Sequence, residues 1–346
     1  MKLKSIVNLI FEAIIVLTLA SSVGYAAQGD TLATVKARGK LLCTGHNGSY
    51  YGFAEIDDKG AWRGLDVELC KALATTIFGT PDKLEIVPVS WAQRFPALKS
   101  GDIDAIIKVT GWTQSRDTDV GVQFSMPYFL GITQLIAHKE TGAKEAKDLA
   151  GGTICVAGGT STEQQVTSYF KDLKVDVKMV TYENTNEMEA SYYANRCDGL
   201  AGWGPNLAIR KSKAKDPDAQ ILLPDKLALE PQSIAVRQGD DQWLDVINWM
   251  LSALLTAEQY GVTQENVDEI RKNPPNPVVG RLLGVTPGVG KRLGLDDDWA
   301  YNVIKKVGNY KEIYDRTLGD KSPYKYPRGI NALWNQGGVL YPMIFD

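Results

Sequence analysis

The chain has 346 residues, of which 44% are hydrophobic and 23% charged, with a formal net charge of −3. This length has room for two domains or lobes of ordinary size. The slight acidity gives no electrostatic reason to expect a nucleic-acid partner.

Lys2 and Lys4 precede an apolar run over residues 6–20, and Gly24-Tyr25-Ala26 puts small residues where a signal peptidase reads. This predicts a secretory signal, residues 1–26, cleaved near Ala26. The run is short and interrupted by Asn8 and Glu12, which argues against a membrane span, although Glu12 leaves a retained anchor open. No cysteine follows the cleavage position, against a lipid anchor there. Four cysteines, Cys43, Cys70, Cys155 and Cys197, lie in the exported part. In an oxidising compartment an even count predicts two disulfides. Three pairings are possible; Cys43 with Cys70 and Cys155 with Cys197 is preferred because each bridge then closes within one candidate lobe. A zinc site is the rival, disfavoured by the wide spacings and by only two histidines, His46 and His138.

Residues 40–44 read as a strand, 45–53 as a loop rich in turn residues and aromatics, and Asp57-Asp58-Lys59-Gly60 as a hairpin turn. Over residues 64–77 the apolar positions 67, 70, 73, 74 and 77 fall on one helical face. A strand at 84–89, a helix at 91–100 stopped by Gly101 and a buried strand at 103–109 follow. This alternation predicts an α/β lobe with a mostly parallel sheet and ligand loops at the carboxyl ends of its strands. The last strand runs into residues 110–128, where Arg116 follows Thr113 by three residues beside a turn of small residues. A guanidinium fork beside turn N–H groups and a hydroxyl suits a carboxylate, because it offers two parallel hydrogen bonds where lysine offers a point charge.

Residues 132–137 read as a strand leaving this lobe. A second set follows: strand 153–157, loop Gly158-Gly159-Thr160, helix 161–173, strand 176–180, helix 186–195 and strand 197–201. Residues 233–236 are a strand that crosses back. Two lobes joined by two crossing segments make a hinged clamp. The predicted division is 27–134 for the first part of lobe 1, 135–234 for lobe 2, and 235–346 for the return to lobe 1 plus a helical C-terminal extension. In that last part Trp243, Val246, Ile247, Met250, Leu251 and Leu254 form a core stripe ended by Gly261. Pro274-Pro275-Asn276-Pro277 and the glycines of 284–290 interrupt the rest, and the extension is expected to pack on lobe 1.

Gly64, the spaced acids Asp66 and Glu68 and the apolar positions in register behind them resemble the signature of the family 3 periplasmic solute-binding proteins, the polar amino-acid receptors of ABC importers. Phe124-Ser125-x-Pro127-Tyr128 is a second mark, and Gly159-Thr160-Ser161 with Glu163 a third. Arg237-Gln238-Gly239-Asp240-Asp241-Gln242-Trp243, Gly261-Val262-Thr263-Gln264, Arg281-Leu282-Leu283-Gly284 and Asn331-Ala332-Leu333-Trp334-Asn335 resemble the general L-amino-acid-binding subgroup, which carries a C-terminal extension. The resemblance covers nearly all of the mature chain. It implies a type II two-lobe clamp, an α/β fold, acting as a monomeric periplasmic receptor for amino acids or amino-acid-like small carboxylates. It further implies permease and ATPase subunits as partners, and no cofactor.

Carried over residue by residue, the carboxylate arginine falls on Arg116 and its hydroxyl neighbour on Thr113; a surface ion pair with Asp117 or Asp119 is the alternative for Arg116. Thr160 and Ser161 start a helix in capping-box spacing with Glu163, and such an N-terminus also suits an anion. Two positions depart from the pattern. Gly111 stands where the family usually has a serine or threonine, and Trp203 where an aspartate usually meets the ligand ammonium. A tryptophan face supports stacking or a cation, or Trp203 is simply core. His46, Tyr50, Tyr51, Trp91 and Trp112 are further cleft candidates, with core packing as the alternative for each. Together they imply a more aromatic pocket than usual and a modified, methylated or aromatic carboxylate as ligand. An enzyme is the rival function, since the fold also hosts cyclohexadienyl dehydratases, and His46 or Glu163 would then have to act as acid or base. A receptor that presents ligand to a membrane sensor is a third reading.

Overall fold

The computed structural model describes residues 30–346; the expected signal segment, 1–26, lies outside the described residues. After helix α1 (Thr31–Arg38), strand β1 (Leu41–His46) pairs in parallel with β4 (Leu84–Val89), and the hairpin β2 (Glu55–Ile56)/β3 (Trp62–Arg63) closes over the Asp57 turn. Asp57 Oδ1 accepts from the Lys59 and Ala61 N–H groups at 2.9 Å each, which is what makes that turn. Helix α2 (Leu65–Phe78) buries Leu65, Leu69, Cys70 and Leu73, and Cys70 is bonded to Cys43 of β1, so helix and strand are stapled. Helix α3 (Arg94–Ser100) starts three residues later than its periodicity predicts, because residues 91–93 form a turn, and it stops at Gly101 with φ 85°. Strand β5 (Ile106–Gly111) is buried throughout, and α4 (Gln114–Asp119) and β6 (Val122–Phe124) follow it.

Two ten-residue strands, β7 (Phe129–His138) and β12 (Ala228–Arg237), run antiparallel to each other through the middle of one large sheet. Strand β12 also pairs with β5 and β6 of the first lobe. Strand β7 also pairs with β10 (Gly199–Trp203) and β11 (Gln220–Leu222) of the second. The crossing segments are therefore strands shared by both lobes, and they are antiparallel because one leaves where the other returns. Parallel strand pairs, expected to dominate, are β1 with β4 and β8 (Thr153–Ala157) with its neighbours β9 (Lys178–Tyr182) and β10, with isolated parallel bridges at Cys43/Ala105 and Leu333/Leu340.

In lobe 2 the two-residue period of the strands divides the core. Leu135, Ile154 and Val156 face α5 (Ser161–Asp172) with Val166 and Phe170, while Ile136 and Cys155 face α6 (Thr185–Tyr193) with Met188 and Tyr192. Cys155 is bonded to Cys197. Helix α7 (Gly204–Lys213), not anticipated from periodicity, has Pro205 in its first turn, where a missing N–H costs nothing.

The rest is helical: α8 (Asp241–Gln259), capped by Asp240, then α9 (Val267–Lys272), α10 (Pro277–Leu282), α11 (Val289–Arg292), α12 (Trp299–Lys306) and α13 (Tyr310–Thr317). Leu73 of α2, Trp243 and Met250 of α8, Val303 of α12 and Tyr310 of α13 share one core. Each such side chain contributes about 1.5–3 kcal/mol on burial, so the extension is continuous with lobe 1 rather than a separate domain.

Candidate ligand-binding cleft

A narrow cavity of about 40 Å³ lies between the lobes. Lobe 1 supplies Tyr50, Trp91, Arg94 and Arg116, from segments that follow strand ends or open a helix, and Val109 from within β5. Lobe 2 supplies Thr160, Ser161 and Thr162 at the start of α5, Thr185 and Met188 of α6, Trp203 at the end of β10, and Asn206 and Arg210 of α7. The lobes touch directly across the cleft: Asn206 Nδ2 donates to the Tyr51 carbonyl at 3.3 Å, and the Ser49 N–H donates to Asn186 Oδ1 at 3.1 Å. The clamp stands closed.

The lining is rich in donors. Arg116, 8% exposed, donates from Nη1 to the Gly111 carbonyl at 2.8 Å. Buried Arg94 donates to the Trp91 carbonyl and reaches the Gly159 carbonyl of lobe 2 at 3.5 Å, leaving Nε without a partner. Arg210 donates from Nε to Asn206 Oδ1 at 2.7 Å and pairs with Glu189, leaving Nη2 without a partner. Trp91 Nε1 and the Thr185 hydroxyl are likewise buried and unpartnered. Burial, with Arg116 close by, pushes the Arg94 pKa well below the usual arginine range, and burial lowers that of Arg116 too. Guanidinium stays charged in proteins, so both shifts record the cost of desolvating a cation, increased for Arg94 by its cationic neighbour and offset in part for both by Glu230, and an anion in the cavity relieves that cost.

The start of α5 adds to this field. Thr160 Oγ1 accepts from the Glu163 N–H at 3.2 Å and donates to the Ala157 carbonyl, while Glu163 Oε2 accepts from the Gly159 N–H at 2.9 Å. The N–H groups of Ser161 and Thr162 have no acceptor within the helix and carry the positive end of its dipole.

Beneath the cavity lies a buried polar layer. The Tyr128 hydroxyl accepts from the Val109 N–H at 3.0 Å and donates to Asp66 Oδ1 at 2.8 Å. Val109 has φ 34°, a conformation costly for a β-branched residue, and this relay holds it against the cavity. Burial pushes the Asp66 carboxyl up to about 7. His46 lies 3.7 Å from Asp66, stacks on Tyr50 and meets the edge of Trp91. Burial, then Lys108, Arg94 and Arg210, hold the His46 pKa well below its ordinary value, so the contact is that of a neutral imidazole. Lys108 lies 4.3 Å from the centre of the Trp91 ring.

Of the residues singled out from sequence, Arg116, Thr160, Ser161, Trp203, Tyr50 and Trp91 come together in the cavity wall. Gly111, Thr113, His46 and Tyr51 do not line it. Thr113 instead caps α4, its Oγ1 accepting from the Arg116 N–H at 3.4 Å, and so orients the arginine. Tyr51 lies under the Arg210 and Lys213 cations, His46 sits behind Tyr50 and Trp91, and Gly111 is covered by the Glu230 side chain. Trp112 is 41% exposed and stacks on Phe124. Trp203 packs on Phe129, Phe53 and Tyr50 while presenting part of its surface to the cavity. Its ring lies so close over Gly131 that a Cβ there would come within 2.9 Å. Trp203 is thus both core and wall. Arg94, Val109, Thr185, Asn206 and Arg210 carried no sequence signal of their own.

Two α/β lobes joined by two shared strands and closed on a donor-rich cavity define a clamp-type solute-binding protein. The chain belongs to the bacterial extracellular solute-binding proteins, family 3, whose family model matches residues 42–266. It is 44% identical over 318 residues, 91% of this chain and 93% of the relative, to the general L-amino acid-binding periplasmic protein AapJ of Rhizobium johnstonii. It is 37% identical to the glutamate/glutamine/aspartate/asparagine-binding protein BztA of Rhodobacter capsulatus, covering 93% of this chain and 95% of that one. Among solved structures, an ABC transporter periplasmic binding protein from Brucella ovis with glutathione bound matches with a TM-score of 0.87 at 41% identity, over 91% of this chain and 99% of the other. The long matches run well past residue 266, so these relatives share the C-terminal extension.

Proposed function

We propose that the protein is the periplasmic receptor of an ABC importer for an amino-acid-like solute carrying more than one carboxylate, an acidic amino acid or a γ-glutamyl peptide such as glutathione. The observation that carries this reading is the polarity of the wall. Three arginines line one small cavity, Arg94 and Arg116 from lobe 1 and Arg210 from lobe 2, and no aspartate or glutamate lines it among the described residues. Two of the three keep a buried N–H without a partner. Buried donors left unmatched cost about 1–3 kcal/mol each, and carboxylates contacted from both lobes satisfy them while holding the clamp shut.

In this reading the signal is removed near Ala26, residues 27–134 and 235–346 form lobe 1 with its extension, and residues 135–234 form lobe 2. Permease and ATPase subunits receive the loaded, monomeric clamp. A relative named for glutamate, glutamine, aspartate and asparagine, one named for L-amino acids in general, and the glutathione complex support a ligand class that includes these solutes. A receptor is favoured over an enzyme because neither His46 nor Glu163 lines the cavity, His46 lying behind Tyr50 and Trp91 and Glu163 accepting from the Gly159 N–H in the α5 cap. The wall's three cations favour an anionic solute over a methylated or aromatic one: Tyr50, Trp91 and Trp203 are largely used up in packing on one another and on His46 and Phe53.

The test is a binding panel on the purified mature protein by calorimetry and thermal shift, since a ligand that binds only the folded state raises the melting temperature. L-glutamate, L-aspartate or glutathione should bind more tightly than L-leucine, L-lysine or glycine betaine. Equal or tighter binding of the neutral and cationic solutes would overturn the reading.

A further inference from the structure

We propose that the C-terminal extension takes part in holding the clamp shut, through a latch outside the ligand cavity in which Lys213 of lobe 2 lies against Tyr51 of lobe 1 and Tyr324 of the extension. The latch touches no solute. It acts equally on whatever the closed cavity holds.

Helix α7 runs from the cavity to the outside of the molecule. Asn206, Arg210 and Lys213 recur at helical spacing and so share one face, and all of them meet the same lobe 1 residue across the cleft. Asn206 Nδ2 donates to the Tyr51 carbonyl at 3.3 Å, the Arg210 guanidinium lies 5.3 Å from the centre of the Tyr51 ring, and the Lys213 ammonium lies 4.1 Å from it. Asn206 and Arg210 line the cavity, whereas Lys213 is exposed and does not. Its ammonium is also 5.8 Å from the centre of the Tyr324 ring. A cation within about 6 Å of an aromatic face is attracted by the ring's quadrupole, and here one cation meets two rings.

Both rings are fixed to lobe 1 by contacts that do not involve lobe 2. The Tyr324 hydroxyl donates to the two carboxylate oxygens of Glu55 at 2.6 Å, and Glu55, on β2, is 4% exposed. Ser322 Oγ accepts from the Tyr324 and Lys325 N–H groups at 3.1 and 3.3 Å, which sets the turn that presents the Tyr324 ring. Gly52, next to Tyr51, has φ 79° and lies so close to the extension that a Cβ there would come within 2.3 Å of Leu318. The Tyr51 loop and the extension therefore make one surface. Opening the clamp moves lobe 2 about the crossing strands β7 and β12 and carries α7 away from that surface, so Lys213 loses both rings while Tyr324 keeps Glu55. A contact made in the closed state and absent from the open one shifts the equilibrium toward closure, and the affinity for every solute that binds the closed state rises by the same factor.

The alternative is that Lys213 is one more cation near an anion site, and its conservative variant together with a charge-neutral change at Tyr324 separates the two. L-glutamate, L-aspartate, glutathione, L-leucine, L-lysine and glycine betaine are titrated by calorimetry into the wild type, Lys213→Gln, Lys213→Arg, Tyr324→Leu and the double variant Lys213→Gln/Tyr324→Leu. Lys213 is on the surface, so its replacement leaves the core intact. Lys213→Gln should lose about 2- to 5-fold in affinity for every solute that the wild type binds, the worth of a cation over an exposed aromatic face. Lys213→Arg, which keeps a cation on the rings, should retain wild-type affinity. Tyr324→Leu should lose part of the same factor and add nothing to Lys213→Gln, because the ring then has no cation to meet. Unchanged affinity in Lys213→Gln or in Tyr324→Leu, a loss in Lys213→Arg equal to that in Lys213→Gln, or a loss that grows with the negative charge of the solute would overturn the latch. The order of the solutes tests the ligand class and the common factor tests the latch, so either can fail alone. A wild type that binds none of the solutes overturns both.

Discussion

Asn331 holds Leu130 with both atoms of its side-chain amide: Oδ1 accepts from the Leu130 N–H at 2.6 Å and Nδ2 donates to the Leu130 carbonyl at 3.1 Å. Pairing of β7 with β10 ends at Thr133, so on that side Leu130 has no strand neighbour and a residue of the C-terminal extension takes the place of one. Tyr310 adds a second tie, its hydroxyl donating to the Tyr128 carbonyl at 2.5 Å. The extension therefore grips the strand that leads into the second lobe. Asn331→Ala leaves the N–H and the carbonyl of half-buried Leu130 without this partner and should cost about 1–3 kcal/mol, read as a lower urea midpoint with an unchanged slope. Asn331→Asp should fare no better, since a carboxylate cannot donate to the carbonyl. A midpoint within error of the wild type in both variants would show that the grip contributes nothing.

Arg116 makes a second prediction. Arg116→Ala should weaken L-glutamate or glutathione binding at least 100-fold, and Arg116→Lys should recover little of it, because an ammonium lacks the two parallel N–H donors of the fork. Unliganded stability should change little or rise, since the substitution takes a cation away from Arg94, whose charge is already disfavoured beside it. Calorimetry and thermal melts on the same samples check both halves, and retained affinity in the alanine variant would move the carboxylate site elsewhere.

The third prediction concerns pH. The folded state holds a proton on Asp66 up to about 7, whereas the unfolded chain releases it near the ordinary aspartate value of 3.8. Below the lower value both states are protonated and the difference is nil. As pH rises between the two, the folded state binds more protons than the unfolded state, and the stability contribution of Asp66 falls until it levels off above the upper value. Asp66→Asn keeps an acceptor for the Tyr128 hydroxyl and removes the titration. The stability of the variant relative to wild type should therefore increase from pH 4 to pH 7 and then stay flat. Denaturation curves across this range test it, and a constant difference would mean that Asp66 ionises as freely folded as unfolded.

Much of the fold was legible because its elements are locally encoded. The apolar positions of 64–77 mark one helical face, the stripe from Trp243 to Leu254 marks α8, and Gly101 stops α3 where a left-handed residue is needed. What was missed depended on partners far away in sequence. Helix α7 carries Arg210, and its polar face reads as solvated until α6 and the Tyr51 loop cover it. Arg94 looks like a surface cation at a helix start, yet it is buried between Trp91, Phe95 and the Gly159 carbonyl. For the aromatic loop residues His46 and Tyr51 the sequence leaves cleft contact and core packing equally open, because aromatic side chains serve cores and pockets equally well, and only the packing around each separates the two uses.

The sequence by itself determined the two-lobed α/β plan, the pairing of the four cysteines within lobes and the placing of Arg116 behind its Thr113 cap, since periodicity, capping and motif spacing act over short stretches. Tertiary structure alone decided which groups share the cavity, and it put Arg94 and Arg210 there beside Arg116. Gly111 and Glu230 are separated by more than a hundred positions, and neither is informative without the other. Their relationship exists only because β5 and β12 pair and leave the space of one absent side chain for another to fill.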